Sequence, residues 1–311
     1  NNCIKRDIGM TTMNNHIGLK GIFNLKFTNV KTGQIRELEF TNLILNSGLD
    51  RIAIGSFIEG CVLGSGSSTP VATDTSITGI LGSSTTLQAY GVGTANTSTP
   101  PYWCSYYWTY RFIEGVATGN ISQVAMAFGT VSAGTTLFSL ALVKDSGGTP
   151  ITITKLADEV LDVTYTLQLF CPSADVTGTI SISGINYDYV ARPAAAASWA
   201  ADNPINTSAY VGVLAYPASS TLGTQLTAPS GSYAQSTTNT YSAYTAGTFY
   251  KDLAIYWDLN NGNVSGGIRC IYINAGSYWQ IQYSKTSDSS AIPKDATKRL
   301  TLNVRISWGR V

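Results

Sequence analysis

The sequence predicts an all-β fold: two tandem antiparallel β-sandwich-like domains with one short helix near the N-terminus. Three observations carry that expectation. Apolar and polar residues alternate with a period of two in several segments, turn-forming clusters punctuate the chain, and the pattern repeats once along it.

Taken in order, "FNLKFTNVKTGQIRELEF" reads as an opening hairpin turning at "KTG", residues 31–33. "NLILNSGLDRIAIG" is the one stretch that argues for a helix. Asn46 or Ser47 would cap it, Leu49 and Ile52 would face inward, and Gly55 would stop it. In "EVLDVTYTLQLF", Leu161, Val163, Tyr165, Leu167 and Leu169 share one face, and Asp162, Thr164, Thr166 and Gln168 the other. In "RLTLNVRISW", Leu300, Leu302, Val304, Ile306 and Trp308 face in, while Thr301, Asn303, Arg305 and Ser307 face out. Both read as half-buried strands. Further turns fall at "KDSGGTP" (144–150) and "NNGN" (260–263).

The repeat links "GNIS" at Gly119–Ser122 with "GNVS" at Gly262–Ser265. It also links "LVKDSGGTPITITKLADEVLDVTYTLQLF" with "QYSKTSDSSAIPKDATKRLTLNVRISW", aligning Lys144 with Lys285. Two modules follow: 1–192, carrying the hairpin and the helix, and 193–311, a divergent copy, with "RPAAAASWAADNP" as linker. The glycine-rich Gly64-Ser65-Gly66-Ser67-Ser68 superficially resembles a phosphate cradle. Its counterpart in the second copy contains Pro217, which has no N–H to offer, and the Lys-Ser/Thr of a P-loop is missing. The loop is expected to be structural, and no cofactor is expected.

Composition narrows the function classes. With 19 Lys+Arg against 18 Asp+Glu, the chain has no basic field to draw in nucleic acid. Charged residues make up only 12% of it, about half the usual share for a soluble domain. Residues 75–110 carry no charge at all, and 191–250 only Arg192 and Asp202. A surface covered by neighbouring subunits tolerates that; a lone dispersed protein usually carries more charge. No run of about 18 apolar residues occurs, so no membrane insertion is expected.

Chemistry-bearing residues are few. Cys3, Cys61, Cys104, Cys171 and Cys270 form no CxxC, so they read as small buried hydrophobes or, for an odd thiol, as a bridge between subunits. No metal site is expected. His16 is the only histidine, and any triad would have to use it. Acid pairs for glycoside hydrolysis would come from Asp158, Glu159 and Asp162, or from Asp252 and Asp258, but the two copies share no such pair. Aromatics are dense: Tyr102, Trp103, Tyr106, Tyr107, Trp108 and Tyr110, then Tyr250, Tyr256 and Trp257, then Tyr278, Trp279 and Tyr283. They fill a core, build a subunit interface or stack on a glycan. The candidates for interface or glycan contact are Tyr102, Trp103, Tyr106, Tyr107, Trp108, Tyr256, Trp257, Tyr278 and Trp279.

The series "FTNLILNSGLDRIA", "VLGSGSSTPVATDTSI", "YRFIEGVATGNISQVAMAFG" and "LFSLALVKDSGGTPITITKLADEVLDVTYTLQL" resembles structural proteins of tailed bacteriophages: tail-fibre, collar or related tail-associated virion proteins. The resemblance covers residues 20–190 and reaches the second copy only through the repeat. It implies a non-enzymatic virion part, a homo-oligomer (trimer or higher) docked to other phage virion proteins. It carries over no catalytic residues. The alternatives are a receptor-binding adhesin that contacts host-surface glycan and a capsid decoration (head-fibre) protein.

Overall fold

The computed structural model describes residues 13–55, 58–195, 212–275 and 277–311. The first part of the chain runs β1 (Met13–Asn29), β2 (Ile35–Thr41), β3 (Leu43–Ile44), α1 (Asn46–Ile52), β4 (Gly60–Gly64), β5 (Ile80–Ser84), β6 (Leu87–Asn96), β7 (Trp103–Phe112), β8 (Gly119–Ile121), β9 (Gln123–Ala127), β10 (Leu137–Leu142), β11 (Ile153–Lys155) and β12 (Glu159–Phe170). It continues with β13 (Val176–Ile182), β14 (Ile185–Ala195), β15 (Gly212–Pro217), β16 (Ala234–Gln235), β17 (Thr238–Tyr241), β18 (Tyr250–Trp257), β19 (Ile268–Ala275), β20 (Ser277–Lys285) and β21 (Leu300–Arg310). The fold is all-β with several sheets and one short α-helix.

One large sheet has the order β17-β18-β21-β1-β12-β7-β6, with β2 also paired to β1. A second sheet, β3-β10-β9-β4-β5, and a third, β13-β14-β20-β19-β15-β16, complete the sandwich layers, and β8 and β11 form a separate pair. Strand β1 lies at the centre, antiparallel to β12 and parallel to β21. Its other pairing, Ile22–Thr28 with Ile35–Thr41, is the opening hairpin.

The strand orders on the two sides of β1 mirror each other. Strands β6, β7 and β12 flank one side of β1 as β17, β18 and β21 flank the other, while β5-β4-β9-β10 and β16-β15-β19-β20 run in the same order in their own sheets. The boundary at 192/193 falls inside β14, and the large sheet takes strands from both sides of it. The parts of the chain before and after that boundary are therefore joined through a shared sheet. Residues 196–204 of the expected linker lie outside the described residues.

The two alternating strands pack as their periodicity dictates. Leu161, Val163, Tyr165, Leu167 and Leu169 are buried, as are Leu300, Leu302, Val304, Ile306 and Trp308, in one core that extends through both halves. Strands β4, β9 and β10 are buried throughout, without alternation. One face of their sheet joins the main core. The other packs Val62, Ala125, Ala127, Leu137 and Leu140 with Ile77 and Val131 in a small second core.

Helix α1 buries Leu49 and Ile52, and Gly55 follows it with φ +77°. The expected cap is corrected. Leu45 is the N-cap and supplies no side-chain bond. Ser47 instead donates its hydroxyl to the Leu137 carbonyl at 2.6 Å, and Asn46 accepts from Arg310 at 2.7 Å. Tertiary partners outcompete local capping for both side chains.

Candidate functional surface

The aromatic segment on β7 follows strand alternation. Tyr106, Trp108 and Tyr110 point into the core beside Cys104, while Trp103 and Tyr107 are half-buried on the opposite side. Trp257 and Trp279 are fully buried, and Tyr102, Tyr256 and Tyr278 are half-buried. Four of the nine candidate contact residues, Tyr106, Trp108, Trp257 and Trp279, are thus core residues. A stacked sugar needs an open ring face, which these four do not offer, because residues of even number on β7 and of odd number on β18 and β20 turn toward the facing sheet. The remaining five are distributed over β7, β18, β20 and a loop, so no single platform gathers them.

The β7 aromatics also support an edge. Trp108 and Tyr106 lie 4.9 Å apart by ring centroid, and Tyr106 leads to Tyr90 at 6.4 Å. Tyr90 sits on β6, the terminal strand of the large sheet. There Leu87 is 41%, Tyr90 63% and Val92 51% exposed. A sheet edge presents unpaired N–H and C=O groups, and natural edges are usually guarded by charge, proline, brevity or β-bulges. Strand β6 has ten residues, with neither charge nor proline among them, and its pairing with β7 shifts register between Leu87 and Ala89 and between Val92 and Ala95. The sequence showed the missing charge but not that it fell on an edge.

The glycine-rich loop is packed against β9. Ser65 N–H is committed to the Gly79 carbonyl at 3.0 Å, and Ser122 donates its hydroxyl to Gly66 O at 2.7 Å. A Cβ on Gly66 would stand 1.9 Å from Thr78 Oγ1 and 2.3 Å from Gln123 Oε1, so any larger residue would displace those two side chains. In the second copy, Gln280 holds the equivalent covering loop: its amide nitrogen donates to the Thr224 and Thr227 carbonyls at 3.0 and 2.9 Å. Its amide oxygen accepts from Gly223 N–H at 2.8 Å.

The acids considered for catalysis each have a partner of their own. Glu159 takes Arg36 through both oxygens at 2.8 Å, Asp162 takes Arg111 at 2.7 Å through both, and Asp252 takes Arg305 at 2.8 and 2.9 Å. Asp158 lies 3.6 Å from Lys31, and Asp258 is held below its ordinary range by loop N–H and amide donors from Asn260 and Asn261. His16 shares a 3.0 Å hydrogen bond with Ser307, and partial burial lowers its pKa.

Cys61, Cys104 and Cys270 are buried free thiols. Burial pushes Cys104 and Cys270 up to about 12 and Cys171 up to about 11, so none of these three is a thiolate at neutral pH. Cys3 lies outside the described residues. Among the described residues no group of His, Cys, Asp or Glu is arranged to hold a metal, and no helix is long and apolar enough to cross a membrane.

The segment "NSGLD" does a different job. Asp50 Oδ1 accepts from Tyr244 Oη at 2.5 Å and from Gly247 N–H at 2.7 Å, and the Leu49 carbonyl accepts from Trp308 Nε1 at 2.8 Å. A Cβ on Gly48 would stand 2.1 Å from Phe138 O. The segment clamps the C-terminal part of the chain onto the N-terminal part. Comparison of the chain with protein-family models, curated proteins and solved structures finds no match.

Proposed function

We propose that this chain is a non-enzymatic structural component of a tailed-phage virion, a part of the tail, collar or a fibre, that self-associates and docks onto other virion proteins. The observation that carries the reading is the apolar edge at β6, where Leu87, Tyr90 and Val92 stand exposed on an uncharged strand. Left open, such an edge is an aggregation hazard; a neighbouring subunit would cover it. The low charge and the resemblance of residues 20–190 to tail-associated proteins point the same way. The β7 aromatics would then serve as the firm backing of that interface.

The test places charge on the edge. Tyr90→Lys with Val92→Lys changes two exposed side chains that lie across the strand pair from Trp108 and Tyr106, and should convert an oligomer to a monomer, read by light scattering after size-exclusion chromatography. Circular dichroism would confirm that the fold persists. A wild-type protein that is monomeric at high concentration, or a variant that still assembles, overturns the reading.

A further inference from the structure

We propose that a cavity at the junction of β2, β3, β10 and the turn that follows β10 binds a carboxylate-bearing sugar, with Lys144 as its cationic anchor. The cavity has a volume of about 360 Å³, at the small end of the ~300–1,000 Å³ range of ligand sites. Its walls mix polar and apolar surface: Thr41 and Thr69 on one hand, Leu142 and Pro150 on the other, with Lys144 among them. A sugar ring, with hydroxyls at its rim and C–H groups on its faces, matches such a mixture.

The charge comes from a comparison internal to the chain. In the second copy, Lys285 is neutralised by Asp288, three residues on, at 2.8 Å. The first copy has Gly147 three residues after Lys144, and among the described residues Lys144 makes no ion pair. The neighbouring Asp145 does not substitute: its Oδ1 accepts the N–H groups of Gly147 and Thr149, both at 2.9 Å, which shapes the turn. The turn thus keeps its lysine, lacks the counter-ion of its twin, and lines a cavity of ligand size. An ammonium in that setting selects a carboxylate, and a neutral sugar would leave it unpaired.

The test is a ligand-detected NMR titration of the full chain with glucuronate, glucose and acetate. Glucuronate should bind saturably, with glucose and acetate at least tenfold weaker. Lys144→Met should weaken glucuronate at least tenfold, Lys144→Arg should retain it, and Lys285→Met should leave it unchanged. No glucuronate binding, glucose or acetate binding as tightly, or equal effects of Lys144→Met and Lys285→Met would overturn the proposal. The site does not depend on the assembly reading, because the Tyr90 and Val92 variants report self-association and these report binding.

Discussion

Gly21 on β1 offers a stringent test of how the sheets meet. Its neighbours are Asn42, at the point where the chain passes from β2 in the large sheet to β3 in the second, and Tyr165 from β12. A Cβ at residue 21 would lie 2.2 Å from Asn42 Oδ1 and 2.3 Å from Tyr165 Oη, far inside contact distance. Neither neighbour has free space: Tyr165 is fully buried between Phe23 and Phe138, with ring centroids 5.1 and 6.0 Å away. Tyr165 Oη, Asn42 and Ser139 Oγ form a buried polar group without a well-aligned hydrogen bond among them. Overpacking costs about 1–3 kcal/mol. Gly21→Ala should therefore destabilise by about 1–3 kcal/mol, read from the urea midpoint at unchanged slope. In an Asn42→Ala, Tyr165→Phe background the methyl group gains room, and the added cost should fall below about 1 kcal/mol. A Gly21→Ala variant as stable as the wild type, or one equally damaged in both backgrounds, would refute this account of the junction.

Three further outcomes are expected. Asp50→Ala removes the acceptor for Tyr244 and Gly247 and should cost about 1–3 kcal/mol, with hydrogen exchange rising first around residues 244–248. Arg305 and Asp252 are each about a third exposed, and the Arg305 guanidinium lies 3.5 Å from the Tyr250 ring centroid. A double-mutant cycle on this pair should give only about 0.5–1 kcal/mol of coupling because solvent screens it; a value above about 3 kcal/mol would mean the pair is shielded. The thiols of Cys61, Cys104 and Cys270 should resist iodoacetamide in the native state and react on unfolding, as mass spectrometry would show. Their folded pKa values are raised by burial. The stability they contribute is therefore complete below the unfolded value of about 8.5 and is lost as pH climbs through the folded ones, which alkaline denaturation midpoints would detect.

What could be read in advance divides along physical lines. Strands with one wet face carry a period of two, so β12 and β21 and their buried residues were legible. Strands β4, β9 and β10 were not, because covering loops bury their second face and erase the alternation. The aromatic density of β7 was visible, but whether each ring turned inward depended on pairing with β12 and β6, which local sequence does not encode. The cap of α1 was misplaced for the same reason: Asn46 and Ser47 are spent on Arg310 and on the Leu137 carbonyl. The Lys144 turn was legible as a turn; that Lys144 lined a cavity required β2, β3 and β10 to be brought together.

The position of β1 accounts for the asymmetry between the two copies. Because it runs antiparallel to β12 and parallel to β21, those two strands run opposite to each other, as corresponding strands of two modules related by a half-turn would. Two such modules alone would leave a seam between β12 and β21. Strand β1 closes it with backbone pairing on both sides: twelve residue pairs to β12, and Met13–Leu19 to β21. Parallel pairing is the weaker partner per residue, and it is on this side that α1 adds side-chain ties. Arg310 reaches Asn46 and the Ile44 carbonyl, Trp308 reaches Leu49, and Tyr244 reaches Asp50. Strand β1 and helix α1 thus fasten the C-terminal strands to the N-terminal ones.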